Sequence, residues 1–298
     1  MTDVTARSPA GFGRNDLSAP LIAALTDYGP GPYAALLQAS ARYPSAPHAT
    51  WLDLDHGIAL GDVRGGALTL RRTIPSLPPC VCVAVVDPGV GTSRRAVALS
   101  TASGHRLVGP DNGLLEPAAR RLGGAVALVD LGESPIRALG RGRTFDGRDL
   151  FGPVAGALAG GAALHDVGQE ADPGSLMVLV LPNPRRTTQG LNVTVLEVDH
   201  FGTLVLALDD QVEALGPLPP VGAAGRVRSS LGGSAEVRVG RTFADVPAHE
   251  LVLYRDSDDA LALARRGGSA ASLLHAAAGE TLTITFDEDD SDDGPEAA

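Results

Sequence analysis

Residues 79–89 read PCVCVAVVDPG, a nearly unbroken apolar run that stops at an acid and a Pro-Gly turn. Such a run suits a strand buried on both faces, the condition of a parallel strand covered by helices. Working outward, ATWLDLDHG (49–57) reads as a second strand and GDVRGGALTLRRTIPSL (61–77) as a helix leading to the first run. Further upstream, LIAALTDYG (21–29) reads as a strand ending in a turn, and YAALLQASARYP (33–44) as an amphipathic helix. The order is β-α-β-α-β. Downstream follow a short strand at AVALS (96–100), a turn-bearing LVGPDNGLL (107–115), a helix over EPAARRLGG (116–124), a strand at AVALVDLG (125–132) and a helical stretch from 148 to 161. Strands alternating with helices predict a mostly parallel α/β sandwich. Past a Pro/Gly-rich approach near 182–190 the chain changes character. LNVTVLEVDHFGTLVLAL, GRVRSS, AEVRVG, ELVLYRD and TLTITF are short and β-rich, which predicts a smaller antiparallel, barrel-like second domain. The expected division is a flexible leader at 1–18, an N-terminal α/β domain at 19–185, a C-terminal β domain at 190–286 and an acidic disordered tail at 287–298.

The 298 residues are 44% hydrophobic and only 4% aromatic, so one large core or two modest ones filled by Ala, Val and Leu are expected. No segment approaches the ~20 consecutive apolar residues of a membrane span. The first residues lack the apolar run of a secretory signal, so a cytoplasmic location is expected. Most of the net charge of -11 comes from DEDDSDDGPEAA at 287–298, which holds seven acids and no base. Like charges at that density favour a solvated tail, with an interaction tail as the alternative. The acidic balance argues against nucleic acid or an anionic membrane as partner. Cys80 and Cys82 alternate on one strand face and read as core residues; no disulfide or metal site is expected from them.

Three acids stand at strand ends: Asp27, Asp55 and Asp87. Ligands in open α/β sheets bind beyond the carboxyl ends of the strands, so these acids are candidates for a site. They are equally candidates for helix caps or turn residues. VVDPGVGTSRR (85–95) lacks the phosphate-loop lysine and the dinucleotide glycine spacing, and GPDNG (109–113) is by composition a tight turn. TFDGRD (144–149) places two acids and an arginine around Gly147 ahead of a helix, where Asp146 or Asp149 could serve as cap. The seven histidines are scattered, and each alone reads as a surface or hydrogen-bonded core residue.

Taken together, LTDYG, DLDHGIALGDVRGGALTL, VVDPGVGTSRR, GPDNGLL, TFDGRDLFGPVAGALA, VDHFGTLVL and DSDDALALARRGGSAASLL resemble the S-adenosyl-L-methionine (SAM) hydroxide adenosyltransferases, or SAM hydrolases, relatives of the bacterial fluorinase and chlorinase. The resemblance runs from about residue 20 to 285. It implies hydrolysis of S-adenosyl-L-methionine to adenosine and methionine by in-line attack of water on the ribose 5′ carbon. It also implies a homotrimer whose active sites lie between the N-terminal domain of one subunit and the C-terminal domain of the next, with no metal and no cofactor beyond the substrate. By motif it assigns Asp27 to the ribose hydroxyls and Asp87 with Arg94 to water activation. Phe145 and Gly147 line the pocket near the 5′ carbon, Asp199 meets the methionine ammonium, Ser257 meets the methionine carboxylate, and the backbone from Arg265 to Gly267 faces adenine.

Three positions depart from the family pattern. The family's water-activating set is Asp-Arg-His, with the histidine in Thr-Phe-His-Gly-Arg-Asp; that position here is Asp146. A second carboxylate beside Asp87 can still act as a base, since two close acids push one pKa upward, and Asp146 is expected to take over part of the histidine's work. Thr203 stands where an adenine-contacting asparagine is usual, and Asp258 where the halogenases have arginine. Two alternatives to hydrolysis follow. One is a protein that binds SAM or adenosine without turnover, which loss of the histidine favours. The other is a halide-dependent transferase, which the carboxylate near the nucleophile disfavours.

Overall fold

The computed structural model describes residues 19–43, 45–137, 144–188 and 190–286. The leader at 1–18 and the acidic tail at 287–298 lie outside the described residues. The chain forms two compact units that divide between Leu179 and Val180.

The first unit is built on a seven-stranded sheet in the order β2-β1-β3-β5-β4-β6-β7. Its strands are β1 (Leu21–Thr26), β2 (Thr50–Asp55), β3 (Val81–Val85), β4 (Ala96–Thr101), β5 (Arg106–Pro110), β6 (Ala125–Asp130) and β7 (Gln169–Ala171). Helices α1 (Tyr33–Arg42), α2 (Val63–Thr73), α3 (Glu116–Arg121), α4 (Gly152–Ala159) and α5 (Leu164–Val167) accompany it. The period-2 alternation of β1 separates two cores. Ile22 and Ala24 join Leu37, Ala41, Val83 and Val154 on the α1/α4 side, while Ala23 and Leu25 join Ala67, Leu70, Cys82 and Ala118 on the α2/α3 side. Cys80 and Cys82 are both buried in the second core, as their spacing predicts.

The expectation of a mostly parallel sheet needs correction, because the sheet is mixed. β1 pairs in parallel with β2 and β3, and β3 with β5, but β4 runs antiparallel to both β5 and β6, and β6 to β7. The cause is the short connection from β4 to β5. It spans only residues 102–105, too few for a parallel crossover, and closes with hydrogen bonds from Thr101 N to His105 O and from Gly104 N to Thr101 O.

The second unit carries a nine-stranded sheet in the order β10-β11-β15-β14-β13-β12-β16-β9-β8. The strands are β8 (Arg185–Thr187), β9 (Gly190–Thr194), β10 (Glu197–Val198), β11 (Leu204–Ala207), β12 (Ala224–Ser229), β13 (Ser234–Val239), β14 (Leu251–Arg255), β15 (Leu261–Arg265) and β16 (Thr281–Phe286). Its pairings are antiparallel except β13 with β14. Two short helices, α6 (Asp209–Leu215) and α7 (Ala270–Leu274), add Val212 and Leu274 to its core.

In the first unit, α4 lies backbone to backbone on α1. A Cβ at Gly156 would meet the Ala41 carbonyl oxygen at 1.9 Å, and one at Gly152 the Ser40 hydroxyl at 2.2 Å. Because the obstacle at 156 is main chain, it cannot rotate away. Gly156→Ala is expected to destabilise the protein by about 1–3 kcal/mol, the usual cost of overpacking, read as a lower urea midpoint at unchanged slope.

Candidate functional site

The sheet order places a topological switch at β1. The chain passes from β1 to β2 on one side and then from β2 across to β3 on the other, so the carboxyl ends of β1 and β3 open a crevice. Asp27 follows β1 and Asp87 follows β3, and Asp27 N still donates to Val85 O at 3.3 Å. A cavity of about 70 Å³ lies there, lined by Asp27, Tyr28, Asp87, Phe145, Asp146 and Gly147 among others.

Asp27, Asp55, Asp87 and Asp146 cap no helix, while the turn reading holds for Asp55 and for Asp87, which accepts from the Gly89 amide. Asp62, not a strand-end acid, caps α2 by accepting from Gly65 N at 2.9 Å. Asp55 is a turn residue, accepting from Gly57 N at 2.6 Å. Asp27 accepts from Gly61 N at 2.8 Å, which ties the end of β1 to the loop before α2. The Asp87 carboxylate takes both arms of Arg94: Nε donates to Oδ1 at 3.0 Å, and Nη2 donates to Oδ2. Arg94 Nη2 also reaches Asp146 Oδ2 at 3.1 Å, and Arg137 Nη1 donates to Asp146 Oδ1 at 2.8 Å. Asp146 makes no cap hydrogen bond although it stands at the start of the π-helical turn Gly147–Phe151. Such turns inside helical stretches often mark functional sites.

Two carboxylates and two guanidiniums therefore form one chain, Asp87–Arg94–Asp146–Arg137. Its central side chains are buried, with Asp87 at 5% exposure and Arg94 and Asp146 at 9%. Arg94 also lies 5.6 Å from the Phe151 ring centroid. Burial raises the Asp87 pKa above the ordinary carboxylate range; the Arg94 charge and its hydrogen bonds pull the other way, and the Asp146 charge adds to the rise.

An aromatic cluster walls the cavity. Tyr28, Tyr33 and Phe145 meet edge to face, with centroids 5.5–6.3 Å apart. The Tyr28 hydroxyl is buried and has no hydrogen-bond partner among the described residues, a condition that costs about 1–3 kcal/mol if nothing else occupies it. Gly147 faces this hydroxyl so closely that a Cβ would lie 1.9 Å from the phenol oxygen. Behind Tyr28, its backbone N–H donates to Thr26 Oγ1 at 3.2 Å. Thr26 Oγ1 lies 2.8 Å from His56 Nδ1, whose Nε2 is 2.9 Å from Asp53. His56 thus braces the end of β1. GPDNG has a similar duty: Asn112 Nδ2 donates to Val86 O at 2.9 Å, and Asp111 pairs with Arg95.

Among the sequence-derived site residues, Asp27, Asp87, Phe145, Asp146 and Gly147 share this cavity, and Arg94 adjoins it through its ion pairs. The second unit holds a separate cavity of about 620 Å³, which Asp199, Thr203, Arg265 and Gly267 line with Phe201, Phe243 and Tyr254. Asp199 Oδ1 accepts from Phe201 N at 2.9 Å and Thr203 N at 2.8 Å, so it shapes the DHFGT turn. The Tyr254 hydroxyl is pushed up to about 12 by burial and by Asp256 and Asp199. Ser257 is not in that lining. It is exposed in the β14–β15 connection, where Asp256 accepts from Asp258 N and Ala260 N. Asp258, one residue on, lies in the same turn.

Tyr28 and Arg137 escaped the reading of the sequence. Tyr28 stood inside a quoted motif beside Asp27, whereas Arg137 reaches Asp146 only through tertiary structure. No helix of the described residues is long and apolar enough to cross a membrane, and no cluster of three or more potential metal ligands occurs among them.

Residues 22–168 match the SAM hydroxide adenosyltransferase N-terminal domain, and residues 193–283 match the C-terminal domain of the same family. An (R)-S-adenosyl-L-methionine hydrolase of Salinispora arenicola is 43% identical over 90% of this chain and 98% of its own length. A fluorinase of an Actinoplanes species is 26% identical over 89% of this chain and 97% of its own. A solved structure of an uncharacterized conserved protein from Thermotoga maritima superposes with a TM-score of 0.77 at 30% identity, covering 88% of this chain and 99% of that one. With both domains matched in order and a hydrolase relative at that identity, the chain belongs to the SAM hydroxide adenosyltransferase family.

Proposed function

We propose that this chain hydrolyses S-adenosyl-L-methionine to adenosine and L-methionine, and that it takes the (R) sulfonium epimer named for its Salinispora relative. The observation that carries the reading is the buried Asp87–Arg94–Asp146 chain at the mouth of the β1/β3 crevice. The sulfonium leaves as a neutral thioether, so the reaction needs no acid at sulfur. It needs an oxygen nucleophile held in line behind the C5′–S bond. Attack by a water that is losing its proton joins a developing anion to a cation, and a dry pocket favours that neutralisation.

Asp87 is the proton acceptor in this reading. Burial and the neighbouring Asp146 carboxylate make it more basic than an ordinary aspartate, and Arg94 fixes its orientation. Asp146 has both oxygens turned to guanidiniums, which suits a positioning residue that holds Arg94 in place. Asp27, Phe145 and Gly147 receive the ribose end of the substrate, and Asp199, Thr203, Arg265 and Gly267 receive the remainder. Ser257 is the proposed contact of the methionine carboxylate. The binding residues are divided between the two units, and the homotrimer with active sites shared between subunits that the family resemblance implies is the assembly proposed here. Carboxylates around the nucleophile position repel an anion, so halide is disfavoured.

Three measurements follow. Reaction in ¹⁸O-water is expected to label the adenosine 5′-hydroxyl, with no halogenated nucleoside when chloride or fluoride is added. Unlabelled adenosine, or no release of adenosine from either epimer, overturns the hydrolase reading. A pH series of kcat is expected to fall on the acid side as Asp87 takes up its proton, with a midpoint above the ~3.9 of an unperturbed aspartate. Asp146→Asn removes a negative neighbour and is expected to move that midpoint to lower pH, while Asp87→Asn lowers kcat by about 10²- to 10⁴-fold. A midpoint that stays put in Asp146→Asn counts against the coupling. Finally, Asp27→Ala chains refolded together with Asp199→Ala chains are expected to recover part of the activity that each variant lacks alone. No recovery counts against sites shared between subunits.

A further inference from the structure

We infer that Tyr28 is a further catalytic residue of the hydrolysis, its phenol O–H being a direct hydrogen-bond donor to the attacking water. The inference rests on the hydrolase reading and gives a role to a residue of LTDYG to which the resemblance assigns none. Four observations place it. The hydroxyl is buried, yet no described residue accepts from it, although Asp27, Asp87 and Asp146 line the same cavity. The ring is held at several points: its edge-to-face contacts with Phe145 and Tyr33 fix its tilt, and its backbone N–H is anchored on Thr26 Oγ1. Gly147 leaves the seat that the hydroxyl fills, since a Cβ there would come within 1.9 Å of the phenol oxygen. The cavity measures about 70 Å³, room for ~2 waters at their liquid volume.

The environment also decides the direction of the bond. Burial and the three carboxylates drive the phenol pKa far upward, so the group stays protonated and serves only as donor. The step then balances. The water oxygen accepts from Tyr28 with one lone pair and donates one O–H to Asp87, and its second lone pair faces C5′. As the O–C5′ bond forms, the C5′–S electron pair leaves on sulfur and the proton passes to Asp87. Tyr28 keeps its own proton throughout and ends on the 5′-oxygen of adenosine.

The test uses the full-length chain and Tyr28→Phe, which deletes the hydroxyl and keeps the ring contacts. The expected result is a kcat about ten- to hundred-fold lower, the scale of a misplaced nucleophile, with KM for S-adenosyl-L-methionine and the melting temperature little changed. A second readout needs no turnover. The preference for adenosine over 5′-deoxyadenosine in equilibrium binding is expected to shrink in Tyr28→Phe, because only adenosine carries the oxygen that Tyr28 meets. Unchanged kcat, or a raised KM at unchanged kcat, overturns the inference while leaving hydrolysis intact. Absence of adenosine from the wild-type chain instead overturns the hydrolase reading and this inference with it. If Tyr28→Phe does not fold, Gly147→Ala decides: it crowds the phenol from its seat and is expected to lower kcat likewise, and an unchanged kcat overturns the inference.

Discussion

A buried carboxylate is costly unless a cation answers it, and the first unit is arranged around that constraint. Asp87 is nearly sealed from solvent and is met by Arg94 through two parallel hydrogen bonds, the strongest geometry available to a carboxylate. Removing one member of such a pair leaves a bare charge in a poor solvent, at a cost of about 3–5 kcal/mol. Arg94 cannot be placed freely either, because its second partner, Asp146, comes from a different part of the chain. The three residues determine one another's positions, and the loops that bear them are fixed as a consequence.

The fold delivers those loops by backbone contact as much as by side-chain packing. Asp87 is set by β3, the central parallel strand, and by Asn112, which reaches back to the Val86 carbonyl. Asp146 is set by the π-helical turn that runs into α4, and α4 is pressed on α1, against the Ser40 hydroxyl at Gly152 and against the Ala41 main chain at Gly156. Since α1 follows β1, the distance between the ends of β1 and the TFDG turn depends on that close approach. A cavity with room for only a couple of waters tolerates little error in it.

What was legible in the sequence divides along the same line. The buried run at 81–86 and the grouping of Asp27, Asp87, Arg94, Phe145, Asp146 and Gly147 in one place were legible because each rests on a local pattern or a contiguous motif. The antiparallel half of the first sheet was not legible from strand-helix alternation, because a four-residue connection between β4 and β5 decides it. Nor were the cap readings of Asp27, Asp87 and Asp146. Local spacing suggested main-chain partners; Asp87 keeps one, the Gly89 amide, but the tertiary fold supplied an amide from another loop for Asp27 and guanidiniums for Asp87 and Asp146. Ser257 followed its motif, yet the β14–β15 connection holds it in the open, where a motif alone cannot say which side of a turn a hydroxyl takes.

The exchange of histidine for aspartate at 146 has an electrostatic consequence that accounts for Arg137. An imidazole can sit beside Asp87 and Arg94 uncharged, and the set is then balanced by one anion and one cation. An aspartate brings a second negative charge into the same buried place, where Asp87 already resists ionisation. Arg137, 2.8 Å from the carboxyl oxygen that Arg94 leaves open, restores the balance to two anions and two cations. With both oxygens so engaged, Asp146 holds Arg94 and Arg137 in place.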